Sequence, residues 1–281
     1  MPFTLDLLTS RTVLECNSAT LADAMNRSFE QYFVPMHFDA GSFERRFRSE
    51  HLDPEASRLW FSGDELVGVV YIARRGWTSR VAAMGLVVEA RGQGLGKHML
   101  QTAIDEATAR GDKSMLLEVF TPNEPAIRLY ERLGFAKART LTSFRRMPDN
   151  GAIGTEQLVE VDPLQVARLV AQQGDANLPW MFAAESLPGL ATPHRAYHLG
   201  EQVYAIVRPD AERTVLVSLL VRQEARRQGW ALRMLRAVEA QFPQKPLVAP
   251  LVAEGALHNT LTAAGWEALP LTLFEMERLF N

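Results

Sequence analysis

The stretch Arg91-Gly92-Gln93-Gly94-Leu95-Gly96 decides how this chain is read. It lies between a strand-like run, Val81 to Glu89, and a helix-like run from Gly94 to Arg110. The first amides of a helix have no intrahelical partner, the helix dipole is positive at that end, and glycine lets a ligand approach the main chain closely. The spacing therefore predicts a phosphate site, although the six residues alone also fit a ligand-free tight turn. Two phosphate loops are excluded. A Walker A loop would need one more residue between Gly92 and Gly96, and His98 stands where its hydroxyl should be. The dinucleotide fingerprint would need a third glycine where the chain has Met99.

The flanks extend the pattern. After the loop, Leu95, Met99, Leu100, Ala103, Ile104 and Ala107 recur at helical spacing, and Gly111 stops the helix. A strand over Ser114 to Phe120 follows. A second helix is then expected over Asn123 to Leu133, closed by Gly134 before Phe135.

This ordered series, Arg-x-x-Gly-x-Gly followed by Asn123-x-x-Ala126-x-x-Leu129-Tyr130-Glu131-x-x-Gly134-Phe135, resembles the GNAT superfamily of N-acetyltransferases over roughly residues 55 to 147. The resemblance implies acetyl-CoA as cosubstrate and no metal. It implies that free main-chain groups of Leu86, Val87 and Val88 pair with the pantetheine arm. Amides from Gly92 through Gln93, Gly94, Leu95 and Gly96 to Lys97 would then take the pyrophosphate. Arg91 is expected to orient the loop rather than to grip phosphate. Asn123 resembles the family's coenzyme-contacting Asn, with a helix N-cap as its competing role. Tyr130 is expected to protonate the leaving thiolate, against a plain packing role beside Phe135. Glu118, on the strand facing the thioester, is the candidate base, and orienting a water or the substrate is the alternative. That Glu118–Tyr130 spacing is similar to the ribosomal-protein N-terminal acetyltransferases of the superfamily.

The loop recurs once, as Arg226-Arg227-Gln228-Gly229-Trp230-Ala231, 135 residues later (226 − 91). With 281 residues, this predicts two domains. The expected class is α/β (α+β): two tandem GNAT folds, each a mixed, mostly antiparallel sheet with splayed parallel fourth and fifth strands between helices. Residues 1–149 are the expected catalytic domain and 150–281 the diverged, non-catalytic one, with Pro148-Asp149-Asn150-Gly151 as linker. In the first domain Thr20 to Phe33 reads as a helix and Arg74 to Arg80 as a loop before the strand that leads to the glycine turn, and strands near Ala136 to Ala138 and Leu141 to Met147 are expected to close it. Aligning Gly265 with Gly134 puts Leu261 at Tyr130, Ala249 at Glu118 and Glu254 at Asn123.

Composition narrows the partners. A net charge of −3 gives no basic field for nucleic acid. No apolar run is long enough to span a membrane, and the first residues carry no secretory pattern. The single cysteine, Cys16, makes no internal disulfide, so the reducing cytoplasm is the expected compartment. A hydrolase is unsupported, since neither Gly-x-Ser-x-Gly nor His-Glu-x-x-His occurs. The acceptor is expected to be a small-molecule or peptide amine, entering past Phe33, His37, Phe38, Trp60 and Trp77, with Glu30, Asp39 and Glu44 as candidate cation partners. A homodimer is left open. The competing class is a binding module, an acyl-CoA sensor without turnover.

Overall fold

The computed structural model describes residues 3–148 and 156–280. Along the chain the elements are β1 Leu8–Thr12, α1 Ser18–Ser28, α2 Ala40–Glu50, β2 Arg58–Ser62, β3 Glu65–Arg75, β4 Thr78–Leu86, α3 Leu95–Arg110, β5 Ser114–Phe120, α4 Glu124–Arg132 and β6 Ala136–Arg146. They continue as β7 Val159–Val161, α5 Pro163–Gln173, β8 Arg195–Leu199, β9 Val203–Pro209, β10 Thr214–Val221, α6 Trp230–Gln241, β11 Leu247–Ala253, α7 Ala256–Ala263, β12 Glu267–Ala268 and β13 Leu273–Leu279.

Two compact units result. The first contains residues up to Ala138 and those from Phe274 onward. Its strands run in the order β1-β2-β3-β4-β5-β13. The β1–β4 pairings are antiparallel, and β4 and β5 are parallel. The apolar stripe expected on α3 is buried at all six positions. β3 is buried without interruption from Leu66 to Ala73, as a central strand covered on both faces must be.

The second unit is Arg139–Leu273. Its order is β6-β11-β10-β9-β8-β7, with β12 beside β6. Only β10 and β11 are parallel among these pairs. β9 shows why this sheet needs helices on both faces. Val203, Ala205 and Val207 join a core with Met234, Leu235 and Val238 of α6, while Tyr204 and Ile206 join another with Val166, Ala167 and Val170 of α5. The alternation is the two-residue period of a strand.

Three expectations are corrected. The segments read as two strands closing the first domain are one strand, β6, and its partner in the second unit is β11. The strand beside β5 in the first unit is instead β13, from the end of the chain. The unit boundary consequently falls at Ala138, with a return at Phe274, and not at 149/150. Of the expected linker, Pro148 is described and 149–151 lie outside the described residues. Second, β4 begins at Thr78 and ends at Leu86, so Val87 and Val88 belong to the turn after it. Third, α1 ends at Ser28, and Phe29, Tyr32 and Phe33 lie in the connection that follows.

Candidate active site

β4 and β5 pair over Thr78↔Ser114 to Val81↔Leu117 and no further. Beyond that point the edges of Ala82–Leu86 and Glu118–Phe120 face each other without a shared ladder. β-strand edges of this kind accept an added extended segment through main-chain hydrogen bonds. The gap leads to the Gly-rich loop.

The loop is a single 3₁₀ turn, Val88–Ala90, followed by the start of α3. Gly92 and Gly94 have φ of 77° and 79°, the left-handed region where glycine carries no Cβ penalty. A Cβ built at either would meet nothing within 4 Å, so the space above the loop is open. Gly96 serves a different purpose: a Cβ there would press on Leu86 and Met84 at 3.3 Å, so its hydrogen lets α3 pack closely on β4. Leu129 of α4 comes to 3.7 Å of the same point, which brings α4 to the start of α3.

Arg91 braces the loop from its own side chain. Its Nε donates to Leu86 O at 3.1 Å and its Nη2 to Glu30 O at 2.6 Å. The Gln93 side chain donates to Glu89 O at 2.6 Å. Lys97 is exposed beside the first turn of α3. Gly92, Gly94 and the first-turn amides of α3 are thus presented by backbone geometry, with the surrounding side chains spent on holding them. A polyanionic coenzyme with an extended arm fits this combination of free edges and amide nest.

Asn123 caps α4, accepting from Ala126 N at 3.4 Å. Its amide also hydrogen-bonds the Tyr32 hydroxyl. Tyr130, on α4, is 8% exposed and packs edge-on against Phe135 at 6.1 Å. Burial first, and then the neighbouring Tyr32, push its phenol well above the usual tyrosine range. The Tyr130 hydroxyl therefore keeps its proton at neutral pH. Tyr32 is pushed up by burial as well.

Glu118 is held tightly. Arg80 Nε donates to its two oxygens at 3.0 and 2.8 Å, and Nη2 lies 2.7 Å from Oε2. Arg80 also donates to Glu50 Oε2 at 2.7 Å, and Arg46 Nε donates to Glu50 Oε1 at 2.8 Å. Arg80, Glu50 and Glu118 side chains are 4%, 2% and 7% exposed, and with the half-buried Arg46 they form an alternating chain of two cations and two anions. Burial alone would raise Glu50, but Arg46 and Arg80 outweigh it and keep its carboxyl below the usual range. Arg80 was missed in the sequence because Arg74 to Arg80 reads as a loop. An arginine within a strand otherwise built of small and apolar residues demands a buried carboxylate, and that was the available signal.

Other expected residues are not brought together. Phe33 is exposed and sits in a cluster with Phe29, Tyr32 and Phe120, with ring centroids 5.1 to 5.7 Å apart. His37 is exposed, and Phe38 lies under the Arg46 guanidinium at 5.4 Å. Trp60 is buried against His98 of α3, and Trp77 is exposed at the turn before β4, the end opposite the loop. Asp39 caps α2, Glu44 accepts from Ser18, and Glu30 contributes its carbonyl to Arg91. Among the described residues no group of His, Cys, Asp and Glu side chains is arranged to hold a metal ion. No helix of the described residues is long and apolar enough to cross a membrane.

In the second unit α7 ends as α4 does. Trp266 N donates to Leu261 O, as Phe135 N donates to Tyr130 O, both at 3.0 Å. Leu261, fully buried, therefore stands at the Tyr130 position. The N-cap of α7 is Gly255, which corrects the expected match of Glu254 with Asn123 by one residue. α7 is shorter than α4 by one residue, so no constant offset aligns both ends.

Comparisons with known proteins agree with this geometry. Residues 21–135 match the Acetyltransferase (GNAT) family. Over 96 residues the chain is 35% identical to N-alpha-acetyltransferase 30 of Schizosaccharomyces pombe, covering 32% of this chain and 64% of that protein. Over 122 residues it is 31% identical to mycothiol acetyltransferase of Streptomyces scabiei, covering 39% of this chain and 38% of that one. The chain thus spans less than two thirds of either relative. The fold is similar over nearly the whole length to a tandem GNAT protein from the clavulanic acid biosynthesis pathway, with TM-score 0.66, 14% identity, and 97% and 98% of the two chains covered.

Proposed function

This chain belongs to the GNAT acetyltransferase superfamily through its first unit, and from that premise we propose that the unit transfers an acetyl group from acetyl-CoA to a primary amine of a small molecule or peptide. The observation that carries this reading is the open β4–β5 gap, with the glycine loop at its mouth and the buried phenol of Tyr130 on the adjoining helix.

Acetyl-CoA supplies an activated thioester. The edge N–H groups of Leu86 and Val88 receive the pantetheine arm, and Val87, expected beside them, does not, because its N–H donates to Val67 O and its O accepts from Ala90 N. The amides of Gly92 through Lys97 hold the diphosphate, and Arg91 fixes the loop from behind. Asn123 contributes its side-chain amide to the arm. An edge N–H near Leu86 faces the charge that develops on the carbonyl oxygen during attack. The Tyr130 Oη gives its proton to the departing sulfur. A phenol protonated at neutral pH suits that task.

Glu118 has a narrower role than a free base. Both of its oxygens already accept from Arg80, which leaves only their outer lone pairs for the acceptor amine or a bridging water. Arg80 fixes the direction in which those lone pairs point. Loss of the amine proton then proceeds through that water.

The test is a panel of amines with purified protein and acetyl-CoA, read as free thiol released. Tyr130→Phe should lower kcat by about 10²- to 10⁴-fold, the usual worth of a general acid, with little change in KM for acetyl-CoA. Unchanged turnover in that variant removes Tyr130 from the chemistry.

A further inference from the structure

Tyr32 follows a residue in a costly backbone conformation. Gln31 has φ of 58°, in the left-handed region that few residues other than glycine and asparagine adopt. The chain around it is pinned. Arg91 Nη2 donates to Ser28 O at 3.4 Å and to Glu30 O at 2.6 Å, and Tyr32 N donates to Phe29 O at 3.2 Å. The turn so fixed carries the Tyr32 ring in among Phe29, Phe33 and Phe120, with centroids 5.1, 5.3 and 5.6 Å away. Strain of this kind persists where the surroundings over-determine it, and it collects at active sites.

The Tyr32 hydroxyl meets the Asn123 amide at the start of α4. Asn123 Oδ1 accepts from Ala126 N, which leaves Nδ2 to donate to Tyr32 Oη and leaves the hydroxyl's own proton for another acceptor. Tyr130 lies seven positions after Asn123 (130 − 123), about two helical turns on and on the same face. Helical side chains lean toward the N-terminus, so the Tyr130 phenol reaches back over the turn that Asn123 caps. Two phenols thus share one end of α4, the inner one 8% exposed and the outer one half-buried.

The second unit keeps the loop and lacks all three of these side chains. Arg226 Nε donates to Val221 O at 3.3 Å and its Nη2 donates to Gln173 O, as Arg91 bonds Leu86 O and Glu30 O. Gln228 Nε2 donates to Glu224 O at 2.9 Å, as Gln93 does to Glu89 O. Yet Gly174 to Leu178, which follow the anchoring carbonyl, hold no tyrosine. α7 starts from Gly255, and Leu261 stands at the Tyr130 position. The three are missing together, as parts of one device would be.

Donation by Tyr130 alone would strand a phenolate in a nearly closed site, and an unpaired buried charge is costly. We infer that Tyr32 returns a proton to Tyr130 while Tyr130 protonates the departing sulfur, so that the two phenols form a relay. This rests on Tyr130 as the acid, proposed above. The O–H bond of Tyr130 breaks as the S–H bond forms, and the O–H bond of Tyr32 breaks as that of Tyr130 forms again. The Asn123 N–H steadies the Tyr32 oxygen while it is bare. Water at the outer, half-open side gives Tyr32 its proton back, and the proton lost by the attacking nitrogen restores that water. Tyr32 acts through Tyr130 and is a positioning residue for the proton.

The test uses the full chain labelled with carbon-13 at tyrosine Cζ, whose resonance follows the state of its hydroxyl. In the unliganded protein Tyr32→Phe should shift the Tyr130 signal and Tyr130→Phe the Tyr32 signal, while Tyr204→Phe in the second unit moves neither. Single turnovers with acetyl-CoA and the best amine of the panel then read the transfer itself. Tyr32→Phe keeps its ring among the aromatic neighbours and should slow transfer about 10²-fold, the low end for an assisted proton transfer, with KM for acetyl-CoA unchanged. In mixtures of light and heavy water the wild-type rate should fall along a curve, as for two protons in motion, and the Tyr32→Phe rate along a straight line, as for one. Signals that do not respond to each other, an undiminished rate in Tyr32→Phe, a loss confined to KM, or plots of one shape in both proteins overturn the relay and leave Tyr130 as a lone acid. An undiminished rate in Tyr130→Phe removes the acid reading itself, and the relay with it.

Discussion

The two glycine loops are nearly superimposable in their hydrogen bonds, yet what lies beneath them differs in kind. In the first unit the chain Arg46–Glu50–Arg80–Glu118 joins α2, β4 and β5, three of its four members buried, and Tyr130 is buried on α4. In the second, Val215 and Leu216 fill the Arg80 stretch and Leu261 replaces the phenol. Buried ion pairs are seldom a route to stability: the desolvation cost rivals the attraction, and hydrocarbon of the same volume often does as well or better. The second unit shows that this architecture folds with hydrocarbon there. The charges kept in the first unit are therefore best explained by what they position, namely the Glu118 carboxylate at the gap. The comparison teaches that two units can share the loop's hydrogen bonds and differ in the side chains of the strands and helix beside it.

The largest expected effect breaks the charged chain. Arg80→Ala leaves two carboxylates buried without their shared partner, and should lower unfolding free energy by about 3–5 kcal/mol in denaturant titrations. Replacing Glu50, Arg80 and Glu118 together by apolar residues should cost far less than this single change, or even stabilise, while abolishing transfer. If the triple variant is as damaged as Arg80→Ala, the argument from the second unit fails. A pH signature accompanies it. Glu50 titrates lower folded than unfolded, so its contribution is present above the ordinary carboxylate pKa of about 4.3 and is lost as pH falls through the folded value. Arg80→Ala should flatten that acid dependence.

Next in size is backbone strain. Gly94→Ala and Gly229→Ala place a Cβ at φ of 79° and 83°, and each should cost about 1–2 kcal/mol. Equal costs in thermal denaturation would show that the two loops are equivalent as backbone. Only Gly94→Ala should also reduce transfer. Smaller still is Asn123→Ala, expected to cost about 0.5–1 kcal/mol as a long N-cap bond is lost. Gly255 already lacks a side-chain cap in the second unit. The smallest expected effect is none at all. Tyr130 is raised above the ordinary tyrosine range, so its proton-bearing form persists past pH of about 10, and kcat should not fall on its account below that value.

Much of this was legible in the sequence, for reasons that can be named. α3, β5 and α4 were legible because period, caps and stop glycines agree: the apolar stripe of α3, Gly111 and Asn123 each specify one local geometry. The existence of β6 was legible as well, since a strand declares itself by its residues. Its partner was not, because β-pairing is non-local and nothing in Ala136–Arg146 distinguishes β11 from β5 as a neighbour. That is why the unit boundary was misread. At the site, the turn from β4 into α3 and the helix that carries Tyr130 were readable from spacing. The Arg80–Glu118 pair was not, because it joins residues 38 positions apart across the parallel β4–β5 register. Tyr32 was missed as a neighbour of Asn123 and Tyr130, since the helix was read through Phe33 when it stops at Ser28.

The central claim is that main-chain amides of the first loop hold the donor with its thioester beside a protonated Tyr130. A crystal structure of the protein with acetyl-CoA tests it most directly. The account predicts the diphosphate on the amides of Gly92 to Lys97 and the sulfur about 3 Å from the Tyr130 hydroxyl. A diphosphate seated away from that loop, or a sulfur out of reach of Tyr130, would contradict it.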